Sequence, residues 1–417
     1  MAGETGPPLA SEASPISHPL SREGGRGEGP SLAPTGTLAA PDGEGAPVRG
    51  RAATDNCDRT VAIVGGGPAG MACALALKLH GVNAEVFEAR ERAAVARDAR
   101  VLALSDGARQ ILDWLGVWSG LRATPIETIH ISQRGGFGRT CLRAAEHEVK
   151  SLGWVLPAGD LIPALDGALT TAGITYHENA RVGVGDTARF ALTAFAEGAV
   201  DEGSATIRDY GQHAVLCTAG VAVPHRNVAW ERFTDEGPLA LLPLGERYAV
   251  VLTCADAVLA EVRALGDAAF LALLQQRFGT RHRFTSASPR IAYPLGLRYR
   301  RHPVGARQVW LGNAAQTLHP VAGQGFNLAL RDIWELAQAL SCAADPGAPA
   351  ALAAYARGRR ADRRGAIGFT DLLIDSFASD FAPLKHARGA GLLALDLLPP
   401  LRAFVAKRMI YGARAWP

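Results

Sequence analysis

The sequence has few cysteines, and their spacing argues against disulfide or metal chemistry. Six cysteines are scattered along 417 residues, with no Cys-x-x-Cys pair and no spacing to histidine that suits a metal ion. In a chain of this length, such cysteines are typical of a reduced intracellular protein, in which they act as small buried residues. We therefore expect no disulfide, no metal site and a cytoplasmic location.

Long hydrophobic runs and a strong charge imbalance are missing as well. No uninterrupted apolar run reaches the roughly 20 residues that a membrane-spanning helix needs. The net charge is only +3, and no basic run alternates with aromatic residues, so we predict no nucleic-acid partner. Because 48% of the residues are hydrophobic, the chain can form the core of one large domain or of two joined domains.

Residues 1–57 lack apolar periodicity and are rich in Gly, Pro, Ser and Glu. Such a segment buries too little surface to offset the entropy lost on ordering, so we predict a disordered tail. An apolar core for a signal peptide is missing, and the glutamates argue against a transit peptide.

A strand, a glycine-rich turn and a helix are predicted at residues 60–79. The apolar run at its start ends in three glycines, and apolar residues then recur at helical spacing. Gly65 would permit the tight turn, Gly67 would let the backbone approach a pyrophosphate, and Gly70 would let the helix pack against the strand. The free N–H groups at the helix start would bind the phosphates.

A second strand at residues 83–88 ends in Glu88, about 20 residues after the glycines. An acid at that position binds a ribose hydroxyl and disfavours a 2′-phosphate. The pattern therefore predicts a site for FAD or NAD. The alternative is a strand–helix–strand turn without a ligand.

The middle of the chain changes from mixed to β-rich. Ser105 is a plausible N-cap for a helix that ends at Gly116, and a strand is predicted at 127–132. A helix at 160–172 and a strand at 174–177 follow. Between residues 206 and 293 alternating runs predict an antiparallel sheet, inserted between two halves of the first domain and accompanied by one helix. The runs are 210–218, 227–233 and 248–253, and the helix is 267–278.

Two passages together carry a family resemblance. GGGPAG with Glu88, and GNAAQTLHPVAGQGFN (312–327) followed by Arg331-Asp332, resemble the class A aromatic hydroxylases among the flavin monooxygenases. Within that class the sequence is most similar to the FAD-dependent hydroxylases of ubiquinone biosynthesis. Asn313 and Gln316 give the passage the form of the 2-polyprenyl-6-methoxyphenol hydroxylases. The resemblance covers about residues 58–415.

The resemblance implies an α/β (α+β) fold like that of p-hydroxybenzoate hydroxylase. A Rossmann-like FAD-binding domain would comprise 58–204 and 296–345, and a substrate-side antiparallel β-sheet domain would comprise 205–295. Residues 125–150 would contribute to the substrate side, and 346–417 would form a C-terminal helical region.

The resemblance also implies the contacts with FAD. Where the family has an Asp beside the ribityl chain, Asn313 can still donate and accept hydrogen bonds without a charge. The flat ring would lie against backbone without side chains near Gly323, and the following helix N-terminus would stabilise negative charge on it. Arg100 matches an arginine of the family that lies near the FAD diphosphate; the alternative is an ordinary surface arginine. For the second passage, the alternative is a glycine-rich loop that serves turn geometry only. The predicted cofactor-binding residues are Gly65, Gly67, Gly70, Glu88, Arg100, Gly312, Asn313, Gly323, Gln324, Gly325 and Asn327.

On the substrate side, residues 209–212 and 231–243 resemble the sheet of these enzymes. We predict that Tyr210, Gln212, Phe233 and Pro243 line the pocket; ordinary sheet packing is the alternative. His319 either relays a proton or is fixed by its turn, so no catalytic residue is assigned.

Two departures from the family pattern concern cofactor contacts. Ala196-Glu197-Gly198 stands where the class has an Asp-Gly motif tied to FAD and nicotinamide contact. Pro157-Ala158 replaces an arginine before the helix at 160. The sequence therefore does not assign the residues that contact the nicotinamide, and it lacks one of the family's flavin contacts.

The resemblance implies an FAD-dependent monooxygenase that hydroxylates the ring of a polyprenylated phenol. NAD(P)H would reduce the flavin and O₂ would add to it as a flavin hydroperoxide, so no Ser/His/Asp or metal constellation is expected. The alternatives are a soluble hydroxylase of a small phenol and a non-catalytic FAD-binding component of an assembly.

A polyprenyl tail implies peripheral contact with the inner face of the membrane or a protein assembly for ubiquinone biosynthesis. The apolar stretch 392–411, with its interspersed Arg and Lys, is either a set of covering helices or a surface that touches the membrane.

Overall fold

The computed structural model describes residues 59–183, 185–320, 323–378 and 382–412, without the side chains at 377, 378 and 382–385. The predicted disordered tail, residues 1–57, lies outside these ranges. Eighteen strands are present in the described part. In chain order they are β1 (Val61–Val64), β2 (Ala84–Phe87), β3 (Val101–Ser105), β4 (Thr124–Ile126), β5 (Thr128–Gln133), β6 (Arg139–Arg143), β7 (Gly153–Pro157), β8 (Thr175–His177), β9 (Leu192–Phe195), β10 (Ala205–Val221), β11 (Val228–Thr234), β12 (Gly237–Leu244), β13 (Arg247–Ala255), β14 (Phe284–Ala287), β15 (Ile291–Arg300), β16 (Val304–Gly305), β17 (Gln308–Trp310) and β18 (Gln316–Thr317).

Ten α-helices accompany the strands in the same ranges. They are α1 (Pro68–Leu79), α2 (Arg92–Ala96), α3 (Asp106–Trp114), α4 (Ala158–Thr171), α5 (Asp256–Ala264), α6 (Asp267–Phe278), α7 (Gly325–Ser341), α8 (Pro349–Ala378), α9 (Ala382–Leu397) and α10 (Pro399–Tyr411).

The first sheet has the strand order β16-β17-β9-β1-β2-β8, and all its pairs are parallel except β16–β17. Its central strand β1 is buried at every position, as expected for a parallel strand covered on both faces. Helix α1 packs against it through a run of small and apolar residues, Gly70 to Leu77. The glycine-rich turn between β1 and α1 thus lies at the carboxyl edge of the central strand.

A small antiparallel sheet, β3-β7-β4, connects this region to the largest sheet. The largest sheet has nine strands in the order β18-β15-β10-β13-β12-β11-β5-β6, with β14 paired to β10. All its pairs are antiparallel except β11–β5. A bulge in β10 between Asp209 and Gln212 interrupts its pairing with β15.

Side chains alternate between the two faces of the largest sheet. One face carries Trp230, Leu239 and Leu252, which pack with Phe270 and Phe278 of α6 in a separate core. The opposite face carries the alternate residues, including Ile129 of β5, whose side chain meets the small sheet.

Helices α7 and α8 are joined by buried charges. Arg359 lies 2.6 Å from Asp332 and 2.5 Å from Asp362, and Arg331 also binds Asp362 at 2.8 Å. The side chains of these four residues are 3–6% exposed. The Gln316 amide donates to Asp332, so the second glycine-rich passage is tied to the same network.

Helices α9 and α10 form the last part of the described chain. No single helix in the described ranges is both long and apolar enough to cross a membrane. The segments His386–Leu397 and Pro399–Tyr411 pass that test only as a pair, bent by 97°.

The structure confirms the α/β class and most predicted elements. Ser105 caps α3 by accepting a hydrogen bond from the Ala108 N–H at 3.2 Å, and the helix predicted at 267–278 is α6. The helix predicted from Asp160 begins earlier, at Ala158, because Pro157 ends β7 in an extended conformation and serves as its N-cap. The domain boundaries stay a prediction.

Candidate active site

The first glycine-rich turn is closely packed on one side and open on the other. Gly65 has a φ of +107°, and a Cβ there would lie 2.8 Å from the Ala196 backbone. A Cβ on Gly70 would lie 1.8 Å from the Gly65 carbonyl oxygen, so α1 can approach the turn only with glycine at that position. A Cβ on Gly67 would meet no atom within 4 Å. The turn therefore leaves space for a ligand at Gly67.

Glu88 lies at the end of β2 beside this turn. It is 5% exposed, and its carboxylate accepts hydrogen bonds from the Gly66 N–H at 2.8 Å and from Arg90 Nε at 2.8 Å. Burial alone would raise the pKa of Glu88, but the hydrogen bonds from Arg90 and the Gly66 N–H outweigh it, and the pKa is lowered. The carboxylate is therefore ionised at neutral pH and can accept hydrogen bonds from hydroxyl groups.

Arg100 precedes β3 and pairs with Asp98, with 2.9 Å between Nε and Oδ1. The hydrogen bond with Asp98 is the main cause that raises the pKa of Arg100. The Arg100 carbonyl accepts the Ala158 N–H at 2.8 Å. Pro157 and Ala158 replace an arginine of the family, and here the start of α4 contacts Arg100 through a backbone hydrogen bond.

The second glycine-rich passage lies against the first. A Cβ on Gly312 would be 3.3 Å from the Ala69 side chain, so the passage meets the start of α1. Asn313, the next residue, is half-buried. The structure thus brings together Gly65, Gly67, Glu88 and Gly312, which are far apart in sequence.

Asn327 has a role that the sequence did not reveal. Its amide Nδ2 donates to the Ala103 carbonyl at 3.0 Å and to the Gly323 carbonyl at 2.7 Å, and its Oδ1 accepts the Ser105 N–H at 2.9 Å. The residue is 2% exposed. The sequence predicted only that Asn327 binds the cofactor, whereas in the structure its side chain joins β3 to α7. Direct contact with FAD stays a prediction.

A largely apolar cavity, partly open to solvent, lies beside this junction; its empty space is about 480 Å³ when the open solvent at its mouth is included. Its walls come from β3, from the start of α7, from β5 and β6, and from α10. The lining residues are Ala103, Leu104, Ser105, Ile126, Ile129, Leu142, Leu152, Gly153, Gly323, Gln324, Asn327, Ala406, Met409 and Ile410. Of the predicted cofactor-binding residues, the cavity thus includes Gly323, Gln324 and Asn327; Gly325, which begins α7, follows directly.

The α10 wall is a part of the cavity that sequence reasoning missed. Ala406, Met409 and Ile410 recur at spacings of three and four, which indicates one helix face. The periodicity predicts that one face of α10 is buried, but it does not identify the part of the molecule against which that face packs. The half-buried Gln324 reaches this helix, with 3.4 Å between its Nε2 and the Met409 carbonyl.

The four predicted pocket residues do not line this cavity, and they do not all lie on the same face of the largest sheet. Phe233 pairs with Pro238, whereas Pro243 pairs with Tyr248, a member of the α6-side core. By the alternation of strand side chains, Phe233 and Pro243 therefore lie on opposite faces of the largest sheet. Gln212, by its register in β10, lies on the face of Phe233. Pro243 thus lies on the side of the sheet opposite to Phe233 and Gln212, and this register does not favour one pocket that contains all three.

Tyr210 lies in the β10 bulge and faces α8. Its hydroxyl donates to Asp371 at 2.9 Å, and its ring meets the His319 ring edge-on with centroids 5.9 Å apart. Burial lowers the pKa of His319 to about 4, so this imidazole is neutral at physiological pH. A relay by His319 stays an open alternative.

Glu197 and Gly198, which stand where the family has its Asp-Gly motif, line a second, more open cleft of about 690 Å³. Arg300 and Trp310 form its other side, and the guanidinium carbon of Arg300 lies 4.3 Å from the Trp310 ring centroid. Burial is the main cause that raises the pKa of Glu197. In the described ranges no group of three or more His, Cys, Asp or Glu could hold a metal ion.

Comparison with known proteins places this architecture in a family. The family model described as FAD binding domain matches residues 58–208 and 197–370. The ubiquinone hydroxylase UbiL of Rhodospirillum rubrum is 34% identical over 381 residues, which are 82% of this chain and 87% of the relative. The chain belongs to the FAD-dependent hydroxylases of ubiquinone biosynthesis. The enzyme is thus an FAD-dependent monooxygenase, and the non-catalytic alternative is not retained.

A second relative agrees with that assignment, and a solved structure shares the fold of this hydroxylase. The 3-demethoxyubiquinol 3-hydroxylase of Escherichia coli is 28% identical over 393 residues, covering 84% of this chain and 96% of the relative. The crystal structure of PqsL, a probable FAD-dependent monooxygenase of Pseudomonas aeruginosa, has a TM-score of 0.61 at 19% identity. It covers 80% of this chain and 99% of its own, which shows the shared fold.

The residues of this hydroxylase fit FAD. The space at Gly67 can accept a diphosphate beside the α1 N-terminus, and the ionised Glu88 can accept a ribose hydroxyl. Asn313 follows at the point where the two passages meet. Beyond it, a Cβ on Gly323 would be 3.4 Å from the Ala103 side chain, so the second passage packs closely against β3 at this glycine.

Proposed function

We propose that this hydroxylase adds an oxygen atom to the aromatic ring of a polyprenylated phenol on the route to ubiquinone. NAD(P)H would be the reductant and O₂ the second substrate. The carrying observation is the apolar cavity between the second glycine-rich passage and the largest sheet. Its walls Ile129, Leu142 and Ile410 offer no charge to a phenol ring and would keep water away from it.

The cofactor and the residues around the cavity would have separate roles. Bound FAD supplies the activation of O₂. Asn327 holds β3 and α7 together, so the backbone at Ala103 and at Gly323 would keep a fixed position beside the ring of the cofactor. The apolar residues of β5, β6 and α10 would orient the substrate ring. The carbon that is hydroxylated depends on that orientation.

The lipid extract of a strain that lacks the gene tests the proposal. By mass spectrometry we expect a polyprenyl phenol one ring oxygen short to accumulate. The wild-type gene should restore the profile, and Gly67→Trp should not, because its side chain would fill the ligand space. Gly167→Trp is the matched control, since Gly167 is exposed on α4 and a Cβ there meets no atom within 4 Å.

An unchanged lipid profile in the deletion strain, with no second hydroxylase present, would contradict the proposal. A small phenol would then be the substrate. Purified enzyme distinguishes the two: a prenylated phenol should stimulate NAD(P)H oxidation in the first case, and only an unprenylated phenol in the second. The same assay with NADH and with NADPH identifies the preferred nicotinamide.

We further propose that α9 and α10 form the surface through which the enzyme contacts the membrane. Five large apolar side chains on these helices and at the residue between them are 40–67% exposed: Leu393, Leu397, Leu398, Leu401 and Phe404. Helix α10 carries basic and no acidic residues, which favours a bilayer with anionic lipids. Because another face of α10 lines the cavity, a polyprenyl tail could pass from the bilayer along this helix.

Vesicle binding tests this surface. Leu397→Ser combined with Leu398→Ser should reduce the partition coefficient onto phosphatidylethanolamine–phosphatidylglycerol vesicles, measured by co-sedimentation, by about a hundredfold, because each leucine loses about 1.5 kcal/mol of apolar transfer free energy. Leu79→Ser is the control, since Leu79 is 55% exposed on α1. Equal sedimentation of all variants would rule out the surface, and a protein assembly would be the remaining partner.

A further inference from the structure

An acidic residue on the largest sheet has no partner within the described residues. Glu231 lies in the middle of β11, paired with Ile131 of β5 and with Ala240 of β12. The residue as a whole is half-buried, but its Oε1 is inaccessible to solvent and makes no hydrogen bond there. Such buried unpaired oxygens are rare in folded proteins and need an explanation.

The strand register places Glu231 on the cavity side of the sheet. Ile131 and Ile129 lie on the same face of β5, because side chains alternate along a strand. Ile129 lines the cavity, and so does its cross-strand neighbour Leu142. Glu231, which pairs with Ile131, is therefore one side-chain row beyond the cavity wall, roughly 7 Å along the strand.

Two further unpaired polar atoms share this face. Thr140 pairs with Ile131 on the other side of β5, is 0% exposed, and its Oγ1 makes no hydrogen bond among the described residues. Gln133, one row further along β5, is 7% exposed, and its Oε1 is also unpaired in that part of the chain. The three side chains thus lie on the face of the sheet that carries the cavity, with Ile131 between Glu231 and Thr140, and we call them the polar patch.

Within the part of the chain that the structure describes, no cation offsets the acid in this patch. Burial alone raises the pKa of Glu231 to about 8, with no charged group contributing. At neutral pH the group is therefore mostly a neutral carboxylic acid. A carboxylic acid can donate one hydrogen bond and accept others, which matches a neutral hydroxyl group.

We propose that Glu231, with Thr140 on the other side of Ile131, is the polar end of the substrate pocket and binds the phenol hydroxyl of the substrate. The inference rests on the proposed function, because it takes a prenylated phenol as the ligand. The apolar cavity would enclose the ring and the first part of the tail, and the polar patch would fix the direction in which the hydroxyl points. This contact would select phenols over their O-alkyl ethers, since an ether leaves the buried acid without a partner.

The test compares two ligands on the FAD-loaded enzyme. The probes are 2-geranylphenol and its methyl ether, 2-geranylanisole, and calorimetry gives their dissociation constants. Wild type should bind the phenol at least about tenfold more tightly than the ether, the effect of one hydrogen bond to a buried group. Glu231→Leu should reduce this ratio to below about threefold, and Glu231→Gln, which can still donate and accept, should retain most of it.

Two further variants keep the result interpretable. Thr140→Val has the same shape and should lower the ratio by about threefold, even if Glu231→Leu were to fold poorly. Glu246→Leu is the matched control, because Glu246 lies exposed in the β12–β13 turn and should leave the ratio unchanged.

The outcomes separate this inference from the proposed function. If wild type binds 2-geranylphenol and the ratio is the same in Glu231→Leu and Thr140→Val, the patch does not bind the hydroxyl, and this inference is overturned while the proposed function stands. If wild type binds neither probe, the polyprenyl phenol itself is wrong, and both proposals fall. A wild-type ratio near one would likewise overturn this inference, because the hydroxyl would then make no favourable contact with the patch.

Discussion

Asn327 is the single side chain on which the geometry of the cavity depends most. Asn327→Leu removes three hydrogen bonds and leaves the Ser105 N–H and the Ala103 carbonyl buried without partners. We expect a loss of about 2–4 kcal/mol in the free energy of unfolding and a lower FAD content. Urea titration and the flavin absorbance of purified protein measure the two effects.

Gln324→Leu is a comparison from the same passage. The Gln324 side chain makes one long hydrogen bond of 3.4 Å in the described structure, so its loss should change the free energy of unfolding by less than about 1 kcal/mol. Equal effects of the two substitutions would show that the junction between β3 and α7 does not depend on Asn327.

Glu231 should give the stability of the enzyme a recognisable pH dependence. Its pKa is about 8 in the folded state and 4.5 for the free side chain, so the folded protein binds this proton more tightly. The contribution of Glu231 is thus most favourable below pH 4.5 and is lost as the pH rises to 8 and beyond. We expect Glu231→Gln to melt roughly 2–4 °C above wild type at pH 8.5 and to show a smaller difference at pH 5.5.

Glu236→Gln provides the opposite sign for the same measurement. Burial of Glu236 would raise its pKa, but hydrogen bonds from Arg134 and its surroundings lower it, so its contribution is present at neutral pH and lost in acid. This substitution should lower the melting temperature slightly at pH 8.5 and have no effect near pH 3. The same trend in both variants would contradict the burial of an isolated acid at Glu231.

The residues that sequence analysis found are those whose role depends on near neighbours. Gly65, Gly70 and Glu88 belong to one strand–helix–strand unit, so their spacing contains the necessary information. The partners of Asn327 are different: the Ser105 N–H is 222 positions away in the chain. No local pattern could have predicted that contact.

The junction of α7 and α8 is the element-scale feature with the largest expected energy. Arg359→Met would leave Asp332 and Asp362 as buried carboxylates with too little positive charge nearby. We expect a loss of about 3–5 kcal/mol in the free energy of unfolding, since a broken buried ion pair leaves an uncompensated charge. Urea titration at pH 7 measures it.

Arg134→Met is the control for that substitution. Arg134 pairs with Glu236 at 2.7 Å, but the two side chains are 27% and 42% exposed, and solvent screens such a pair. Its loss should be less than about 1 kcal/mol. If the two substitutions had the same effect, the buried network would contribute nothing beyond an ordinary surface pair.

Periodicity predicted where helices and strands occur but not which elements meet. The antiparallel character of the middle region and the helix at 267–278 were predicted correctly, because both depend on local alternation or helical spacing. The parallel pairing of β5 with β11 joins residues about 100 positions apart and has no local signal. The same is true of α10, whose apolar face could have covered any part of the core.

For the whole molecule, FAD should act as a linker of distant parts. Its predicted contacts lie in two passages, 65–100 and 312–327, which the fold brings side by side. Free FAD at 100 times its dissociation constant should therefore stabilise the apoprotein by about 2.7 kcal/mol. Differential scanning calorimetry should show a higher melting temperature for wild type and for Gly167→Trp. An equal shift for Gly67→Trp would mean that FAD binds elsewhere.

The contact between residues 103 and 327 has a consequence for biosynthesis. The ribosome releases the turn at Gly65 long before α7 exists, and about 280 residues between Gly65 and Ser341 require roughly 15–55 s of elongation. Until then the nascent chain has the first passage without the second, and β3 lacks the amide that holds it. Capture of the flavin is therefore a late event in the life of each chain. We therefore expect a message that terminates before codon 327 to yield a colourless product, however well its first βαβ unit folds.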